Sequence, residues 1–202
     1  MDYSGIVELF IVTNNLNTLR KQIKTKLQNL TPKSRAISSK KIATKIINSD
    51  IFIHSQNIAC YIPIENEVDT RLIIETIWQQ GKNCYLPALA SNTKKCLCFV
   101  KFMPNDLLLK VNKIFEPNIT PEKIISPQNL DLVIVPLIGF NSDNFRLGRG
   151  AGCYDITFEF KLHIKNPSKP YLLGVGYKWQ HIKFEPNLWD VAMDEIITDL
   201  SG

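Results

Sequence analysis

The stretch DLVIVPLIGF, residues 131–140, decides the fold of this chain. Its apolar residues follow one another without the alternation of a half-exposed strand, so it predicts a central strand buried on both faces. A glycine-rich segment, RLGRGAGCYD at residues 146–155, comes soon after it and leads into helical sequence. A buried strand followed by a glycine loop and a helix is typical of the ligand-binding edge of an α/β sheet.

Strand and helix patterns alternate along the rest of the chain. Apolar residues at helical spacing predict two opening helices, at about 16–29 and from Thr31 to Asn48. IACYIPI (58–64), a helix capped at Asp69 and Thr70, and NCYLPAL (83–89) have the length of a parallel crossover unit. The remaining predicted segments are an edge strand at 95–102, an irregular connection at 103–129, a helix at 154–163 and strands at 171–177 and 195–198. This alternation predicts a three-layer α/β/α sandwich with a mostly parallel sheet.

Length and composition limit the classes of protein to which the chain can belong. With 202 residues, 45% of them hydrophobic, one core suffices, and we predict an N-terminal extension at 1–13 and a single domain at 14–202. The net charge of +5 comes from a mild basic excess without a dense basic tract, so solvated surface lysines are its first interpretation. A nucleotide or other polyanionic substrate is the second and nucleic acid the third, and we expect a small-molecule partner and no nucleic acid. The apolar stretch 6–12 is too short to span a membrane and lacks the flanks of a signal peptide.

The cysteines indicate a reducing compartment. Their number, five, is odd, and no CxxC pair is present. Cys60 and Cys84 lie in apolar strand-like runs and are expected to be small core residues. We therefore predict a cytoplasmic protein, and we expect a monomer.

The glycine-rich segment is the strongest candidate for chemistry. Gly148, Gly150 and Gly152 permit positive φ and close backbone approach, so that successive amides can point at one anion. Arg146 and Arg149 add positive charge, and the following helix adds its N-terminal dipole. The segment lacks the Lys-Ser/Thr ending of a P-loop and the position of a Rossmann fingerprint. It predicts a phosphate-binding loop of another kind.

Several acidic and basic residues have two interpretations. Asp155 is placed to meet a magnesium ion held by phosphates, or it stabilises the first turn of a helix. Glu67 follows the first strand, where a ligand contact is expected, whereas Asp69 is explained as a helix cap. Arg20 lies on a basic helix face with Lys21 and Lys24 and is by itself a solvated charge.

In combination, these features resemble the 5-formyltetrahydrofolate cyclo-ligase (5,10-methenyltetrahydrofolate synthetase) family. The matching segments, in the family's order from about residue 19 to 198, are LRKQIKTKLQNLTP, YIPIENEVDT, DLVIVPLIGF, RLGRGAGCYD and DVAMDEIIT. The resemblance implies a fold related to phosphosugar isomerases and CoA transferases. It also implies an ATP- and Mg²⁺-dependent closure of the N5-formyl group onto N10, through a phosphorylated formyl intermediate, with 5-formyltetrahydrofolate as the substrate.

The resemblance also assigns roles to individual residues. Arg149 and Tyr154 are expected to be catalytic, and Asp155 and Asp190 to bind Mg²⁺. The expected folate contacts are Arg20, Ile62, Glu67 and Tyr154. The expected nucleotide contacts are Arg20, Arg146, Leu147, Gly148, Arg149, Gly150, Ala151, Gly152, Cys153 and Tyr154.

Two positions depart from the family pattern. Leu16 stands where the family commonly has a lysine that contacts phosphate, with Lys21 as a neighbouring substitute, and Cys153 replaces the first of two tyrosines. One alternative is therefore a catalytically weakened homologue that binds folate or nucleotide. Another is a basic protein that binds nucleic acid through the helix face of Arg20, Lys21, Lys24 and Lys26.

Overall fold

The computed structural model describes residues 4–90, 96–111, 114–163 and 169–200, with side chains from residue 16 onward except that of Val111. Its helices are α1 (Ser4–Gln28), α2 (Pro32–Ile47), α3 (Asp50–His54), α4 (Arg71–Gln79), α5 (Cys153–Phe158) and α6 (Phe160–His163). Its strands are β1 (Asn57–Ala59), β2 (Asn83–Leu89), β3 (Leu97–Lys101), β4 (Leu108–Val111), β5 (Ile114–Pro117), β6 (Ile124–Ile125), β7 (Leu132–Pro136), β8 (Gly139–Phe140), β9 (Arg146–Leu147), β10 (Tyr171–Gly176) and β11 (Glu195–Thr198).

Seven strands form one sheet in the order β11-β10-β7-β1-β2-β3-β6. β11, β10, β7, β1 and β2 are parallel, and β3 runs antiparallel to both of its neighbours. The prediction of an edge strand over 95–102 is wrong, because β6 pairs with the outer side of β3. β6 has only two residues and lies inside the connection that was predicted to be irregular. A strand this short has no periodicity from which to predict it.

The central strand separates two apolar layers. Leu132 and Ile134 of β7 pack into a core with residues of α1, α2, α3 and α4. Val133 and Val135 point to the other face, where Phe158 of α5 lies in the second core. Successive residues of a strand face opposite sides, so a continuous apolar run serves both layers. The predicted three-layer α/β/α sandwich with a mostly parallel sheet is confirmed.

The opening helices agree with the sequence in type and less well in extent. α2 is capped by Thr31, whose hydroxyl accepts a hydrogen bond from the amide of Ser34, and it ends before Asn48 as predicted. α1 already begins at Ser4, earlier than the predicted start near residue 16. The predicted boundary between residues 13 and 14 therefore falls within one continuous helix, and the division into extension and domain stays a prediction.

Two predicted segments are shorter in the structure than in the sequence pattern. The strand at 58–64 is limited to β1, with Pro63 in the extended chain that follows. The run 131–140 divides into β7, which ends at Pro136, and β8, which pairs with β9 in a separate hairpin. Proline has no N–H to donate to a ladder, which favours the end of β7 at Pro136. The glycine-rich loop therefore follows a hairpin and not the central strand directly.

The predicted helix at 154–163 is broken at Glu159 into α5 and α6. All five cysteines are free thiols, and Cys60 and Cys84 are buried as expected. Within the described ranges, no helix combines the length and the apolar character needed to cross a membrane.

Candidate active site

The glycine-rich loop closes over the carboxyl edge of the sheet. Arg146 and Leu147 form β9, Gly150 has φ +107°, and Gly152 has φ +73° at the start of α5. A Cβ atom on Gly148 would lie 2.4 Å from Nη1 of Arg146, so the guanidinium occupies the space above that glycine. The positive φ of Gly150 and Gly152 is a backbone conformation that residues with a side chain rarely adopt, and the glycine spacing permitted it.

Arg146 is held by the start of α5. Its Nη2 donates to Oδ2 of Asp155 at 2.7 Å, and its guanidinium lies 5.1 Å from the centre of the Tyr154 ring. Only 6% of the Arg146 side chain is exposed, and its Nε is buried without a hydrogen-bond partner among the described residues. Burial raises the pKa of Asp155, and the charge of Arg146 opposes that shift. One edge of the guanidinium is thus paired, and the buried Nε donor is left without a partner.

Arg149 joins the loop to the segment that follows β1. Its Nε and Nη2 both donate to Oε1 of Glu67, at 3.0 and 2.9 Å, and Oε2 of Glu65 lies 3.5 Å from Nη2. Glu67 is buried, and its Oε2 accepts from the amide of Ile64 at 2.9 Å. Burial raises the pKa of Glu67 above its ordinary value, and the charge of Arg149 offsets only part of this shift. Since 32% of the Arg149 side chain is exposed, a ligand can reach this guanidinium.

A third arginine reaches the loop from α1. Arg20 Nε donates to the carbonyl oxygen of Gly148 at 2.9 Å, and its Nη1 donates to Oδ1 of Asn17 at 2.8 Å. Burial lowers the pKa of Arg20, and the nearby charge of Asp190 raises it. Arg20 is therefore bonded to the glycine-rich loop and is not simply a solvated charge on a helix face, although it still lines a groove with Lys21 and Lys24.

Asp155 and Asp190 meet at the same side of the cavity. Repulsion from Asp190 contributes to the raised pKa of Asp155, although burial is the larger cause. Oδ2 of Asp190 accepts from the amide of Asn187 at 2.8 Å, and Oδ1 of Asp155 accepts from that of Val191 at 3.3 Å. The described residues contain no cluster of three or more His, Cys, Asp or Glu side chains that could hold a metal alone. Two carboxylates are the number that Mg²⁺ commonly takes when phosphates supply further oxygens, so this pair fits such a role.

Tyr154 and Cys153 lie where the loop becomes α5. Burial raises the pKa of Tyr154, and the charge of Arg146 opposes the shift, so its hydroxyl is protonated at neutral pH. The Tyr154 ring packs against Phe158, with 6.3 Å between ring centres. Both Cys153 and Tyr154 are partly accessible from the cavity. The substitution of the first tyrosine by Cys153 leaves the second in place with a hydroxyl able to donate a hydrogen bond.

One cavity of about 630 Å³ is lined by every residue to which the family resemblance assigns a nucleotide, folate, metal or catalytic role. These residues are Arg20, Ile62, Glu67, the loop from Arg146 to Tyr154, Asp155 and Asp190. A cavity of this size is in the usual range for a small-molecule site. Leu16 lies in its wall and is 6% exposed. A second cavity of about 480 Å³ shares Asn17, Arg20 and Arg149 with the first and is also lined by Lys21 and Lys24.

Part of the cavity lining was not predicted from the sequence. This part contains apolar side chains of β2 and β3, together with residues of β5 and of the loop before β11. The residues missed include Tyr61, Leu86, Leu89, Phe115, Glu116 and Trp189. The one local indication of this lining was Glu116, an acidic residue in the otherwise apolar segment IFEP (114–117). That segment lies in the connection that was predicted to be irregular.

Comparison with known proteins identifies the family of the chain. A model of the 5-formyltetrahydrofolate cyclo-ligase family matches residues 12–199. The chain belongs to that family. The predictions of the family and of an enzyme, a ligase of folate metabolism, are thereby confirmed.

Two related sequences match along most of their length. A 5-formyltetrahydrofolate cyclo-ligase of Haemophilus influenzae is 30% identical over 186 residues, which cover 88% of this chain and 96% of that protein. A 5-formyltetrahydrofolate cyclo-ligase of Mus musculus is 30% identical over 185 residues, covering 89% of this chain and 91% of that protein.

Solved structures support the same assignment. A 5,10-methenyltetrahydrofolate synthetase from Mycoplasma pneumoniae superposes with a TM-score of 0.71 and 28% identity, covering 91% of this chain and 98% of that one. The NMR structure of the Aquifex aeolicus 5,10-methenyltetrahydrofolate synthetase has a TM-score of 0.78 and 25% identity, with 92% and 90% coverage.

Proposed function

We propose that the protein converts 5-formyltetrahydrofolate to 5,10-methenyltetrahydrofolate in an ATP-dependent cyclisation that releases ADP and phosphate. The observation that carries this proposal is the cavity itself. Segments as distant in sequence as Arg20, Glu67, Arg149 and Asp190 line one space together. Guanidinium groups, glycine amides and a carboxylate pair in one cavity suit a reaction that transfers a phosphoryl group.

The glycine-rich loop is the proposed nucleotide site. Its amides and the guanidiniums of Arg146, Arg149 and Arg20 supply donors and positive charge for a polyphosphate. Lys21 of the adjoining groove is a candidate to replace the lysine that the family has at Leu16. The positive charge would serve most in phosphoryl transfer, where negative charge is spread over the transferring oxygens.

Asp155 and Asp190 are the proposed Mg²⁺ ligands. When bound, the ion would offset negative charge on the phosphates. For Asp155 to serve as a ligand, its carboxylate has to be shared with, or released from, Arg146. The freed Nη2 of Arg146 would then be available to the nucleotide.

The folate is proposed to bind beside Ile62, Glu67 and Tyr154. Its formyl oxygen attacks the γ-phosphorus of ATP, and ADP leaves. N10 then attacks the formyl carbon and gives up its proton, and the C–O bond breaks to release phosphate. A formamide carbon is a poor electrophile, and phosphorylation of its oxygen supplies the leaving group. Arg149 is the proposed catalytic guanidinium, and the protonated Tyr154 hydroxyl is available as a hydrogen-bond donor to the substrate.

The experiment is a direct assay of the purified protein. With ATP, Mg²⁺ and 5-formyltetrahydrofolate, we expect methenyltetrahydrofolate to accumulate, which is followed by its near-ultraviolet absorbance. No product at stoichiometric enzyme would contradict the proposal. Calorimetry then separates the alternative of a weakened homologue, because such a protein would bind the folate or ATP without turnover.

The cellular setting is a proposal as well. We propose a monomer that acts in the cytoplasm on a small-molecule substrate, without nucleic acid or membrane as a partner. Free thiols at all five cysteines are compatible with a reducing compartment. Sedimentation of the purified chain would test the monomer.

A further inference from the structure

Glu116 is a buried carboxylate in the lining of the cavity, outside the glycine-rich loop. It lies in β5, is 9% exposed and lines the cavity, whereas its neighbour Phe115 is 47% exposed. Both residues line the cavity, and the acidic side chain is the more deeply buried of the two. This is the reverse of what burial alone would favour.

Two other carboxylates of the cavity are paired with arginines, whereas Asp190, like Glu116, accepts from a neutral donor. Glu67 is paired with Arg149 and Asp155 with Arg146, and Asp190 accepts from Asn187. Within the described ranges, no lysine, arginine or histidine forms an ion pair with Glu116.

Burial raises the pKa of Glu116, and a hydrogen bond from the backbone of Leu89 opposes that shift. A largely buried carboxylate with so little compensation is costly unless a ligand donates to it.

The position of Glu116 places it on the proposed folate side of the sheet. The glycine-rich loop follows β7 and the β8–β9 hairpin, while Ile62 and Glu67 follow β1. β2 is the next strand beyond β1, and Leu86, Pro87 and Leu89 of β2 line the cavity together with Glu116. A flat heteroaromatic ring would find apolar walls there and one acceptor group at the edge.

We propose that Glu116 determines specificity for the pterin ring by accepting hydrogen bonds from N3–H and from the 2-amino group. This inference rests on the proposed function. The two N–H groups are adjacent donors on one ring edge, and a carboxylate presents two acceptor oxygens to such a pair. The pairing edge of adenine presents a donor beside an acceptor, so it does not match a carboxylate. Glu116 therefore selects the folate and not the nucleotide.

The test compares Glu116→Gln with Glu122→Gln, an exposed glutamate in the following turn. Calorimetry measures binding of 5-formyltetrahydrofolate and of ATP with Mg²⁺ in separate titrations. We expect Glu116→Gln to weaken folate binding about tenfold and to change ATP binding by less than about twofold, because one charge-assisted contact is lost. Glu122→Gln should change neither. An equal loss for both ligands, or a loss for ATP alone, would overturn the inference.

A second ligand separates recognition from a structural role. A 5-formyltetrahydrofolate analogue with a methyl group in place of the 2-amino group should bind the unsubstituted protein about tenfold more weakly than the parent folate. In Glu116→Gln the same change should cost less than about threefold, since the carboxylate partner is already gone. Equal sensitivity in both proteins would overturn the inference.

The binding data also keep this inference distinct from the cyclisation. A protein that binds 5-formyltetrahydrofolate without converting it would contradict the proposed reaction, and the comparison of the two variants would still decide the role of Glu116. A protein that binds no folate would overturn both.

Discussion

Glu67 and Asp69 lie two residues apart, and each accepts hydrogen bonds from an arginine, yet their pKa values shift in opposite directions. At Asp69, hydrogen bonds from Arg71 lower the pKa, because the pair lies at the outer start of α4 with Arg71 72% exposed. At Glu67, burial in the cavity wall outweighs Arg149 and raises the pKa. Pairing with an arginine therefore does not by itself set the direction of a carboxylate's pKa shift, because burial acts in the opposite direction.

The difference teaches how the cavity is built. Its carboxylates Glu67, Asp155 and Glu116 all have raised pKa values, with burial as the largest cause in each. Outside it, hydrogen bonds from a cation lower the pKa of Asp69 and of Asp106. Buried acids with shifted pKa values are the usual mark of a functional site, since they are retained at a cost to stability.

The largest expected effect contrasts the two arginines. Arg149→Ala should lower kcat/KM for the cyclisation about 10³-fold, because an arginine that stabilises a transferring phosphoryl group contributes on that order. Arg71→Ala removes the arginine that pairs with Asp69 outside the cavity, and it should leave kcat/KM within about twofold of the unsubstituted value. Steady-state rates from methenyltetrahydrofolate absorbance measure both. A loss of less than about tenfold in Arg149→Ala would show that this guanidinium does not act on the phosphoryl group.

A smaller effect concerns stability. Arg146→Met should lower the free energy of unfolding by about 3 kcal/mol, because it leaves the buried Asp155 without its partner. Lys123→Met breaks the half-exposed pair with Asp106 and should cost less than about 1 kcal/mol. Urea unfolding at pH 7 compares the two. Adding Asp155→Asn to Arg146→Met should restore most of the loss, and failure to do so would assign the cost to packing instead of charge.

The smallest effect is a pH dependence of opposite sign at the two acids. The pKa of Glu67 is raised in the folded state. Its contribution to the free energy of unfolding is therefore fully present below the unfolded pKa of about 4.3 and is lost as pH rises through the folded pKa. The stability of Glu67→Gln relative to the unsubstituted protein should therefore increase with pH above about 4.3.

Asp69 should behave in the reverse way. Its folded pKa is lowered, so its contribution is present above the unfolded value of about 3.9 and is lost as pH falls through the folded pKa. The deficit of Asp69→Asn should shrink below about pH 4. Unfolding curves from pH 3 to 8 check both, and slopes of the same sign would contradict the assignment of the shifts to burial at one acid and pairing at the other.

Local patterns predicted much of the fold and one wall of the site. Thr31 and Pro32 marked the start of α2, and the apolar run at 131–140 marked the central strand. The glycine spacing together with Arg146 and Arg149 predicted a phosphate loop, which stays a prediction, and the resemblance to a family indicated Asp190 and Ile62. The two-residue strand β6 and the β4–β5 hairpin escaped prediction, because strands so short carry no periodic signal. With the hairpin, Glu116 and the apolar wall were missed.

The sequence by itself determined the layers, the glycine-rich loop and the identity of its charged residues, because strand burial, helix caps and glycine conformation are local properties. Only the tertiary structure decided which charges meet. Arg149 reaches Glu67 across 82 positions of sequence, and Arg20 reaches Gly148 across 128. The burial that raises the pKa of Glu67 is a property of the cavity wall, which segments distant in sequence form together. No segment of the chain carries it alone.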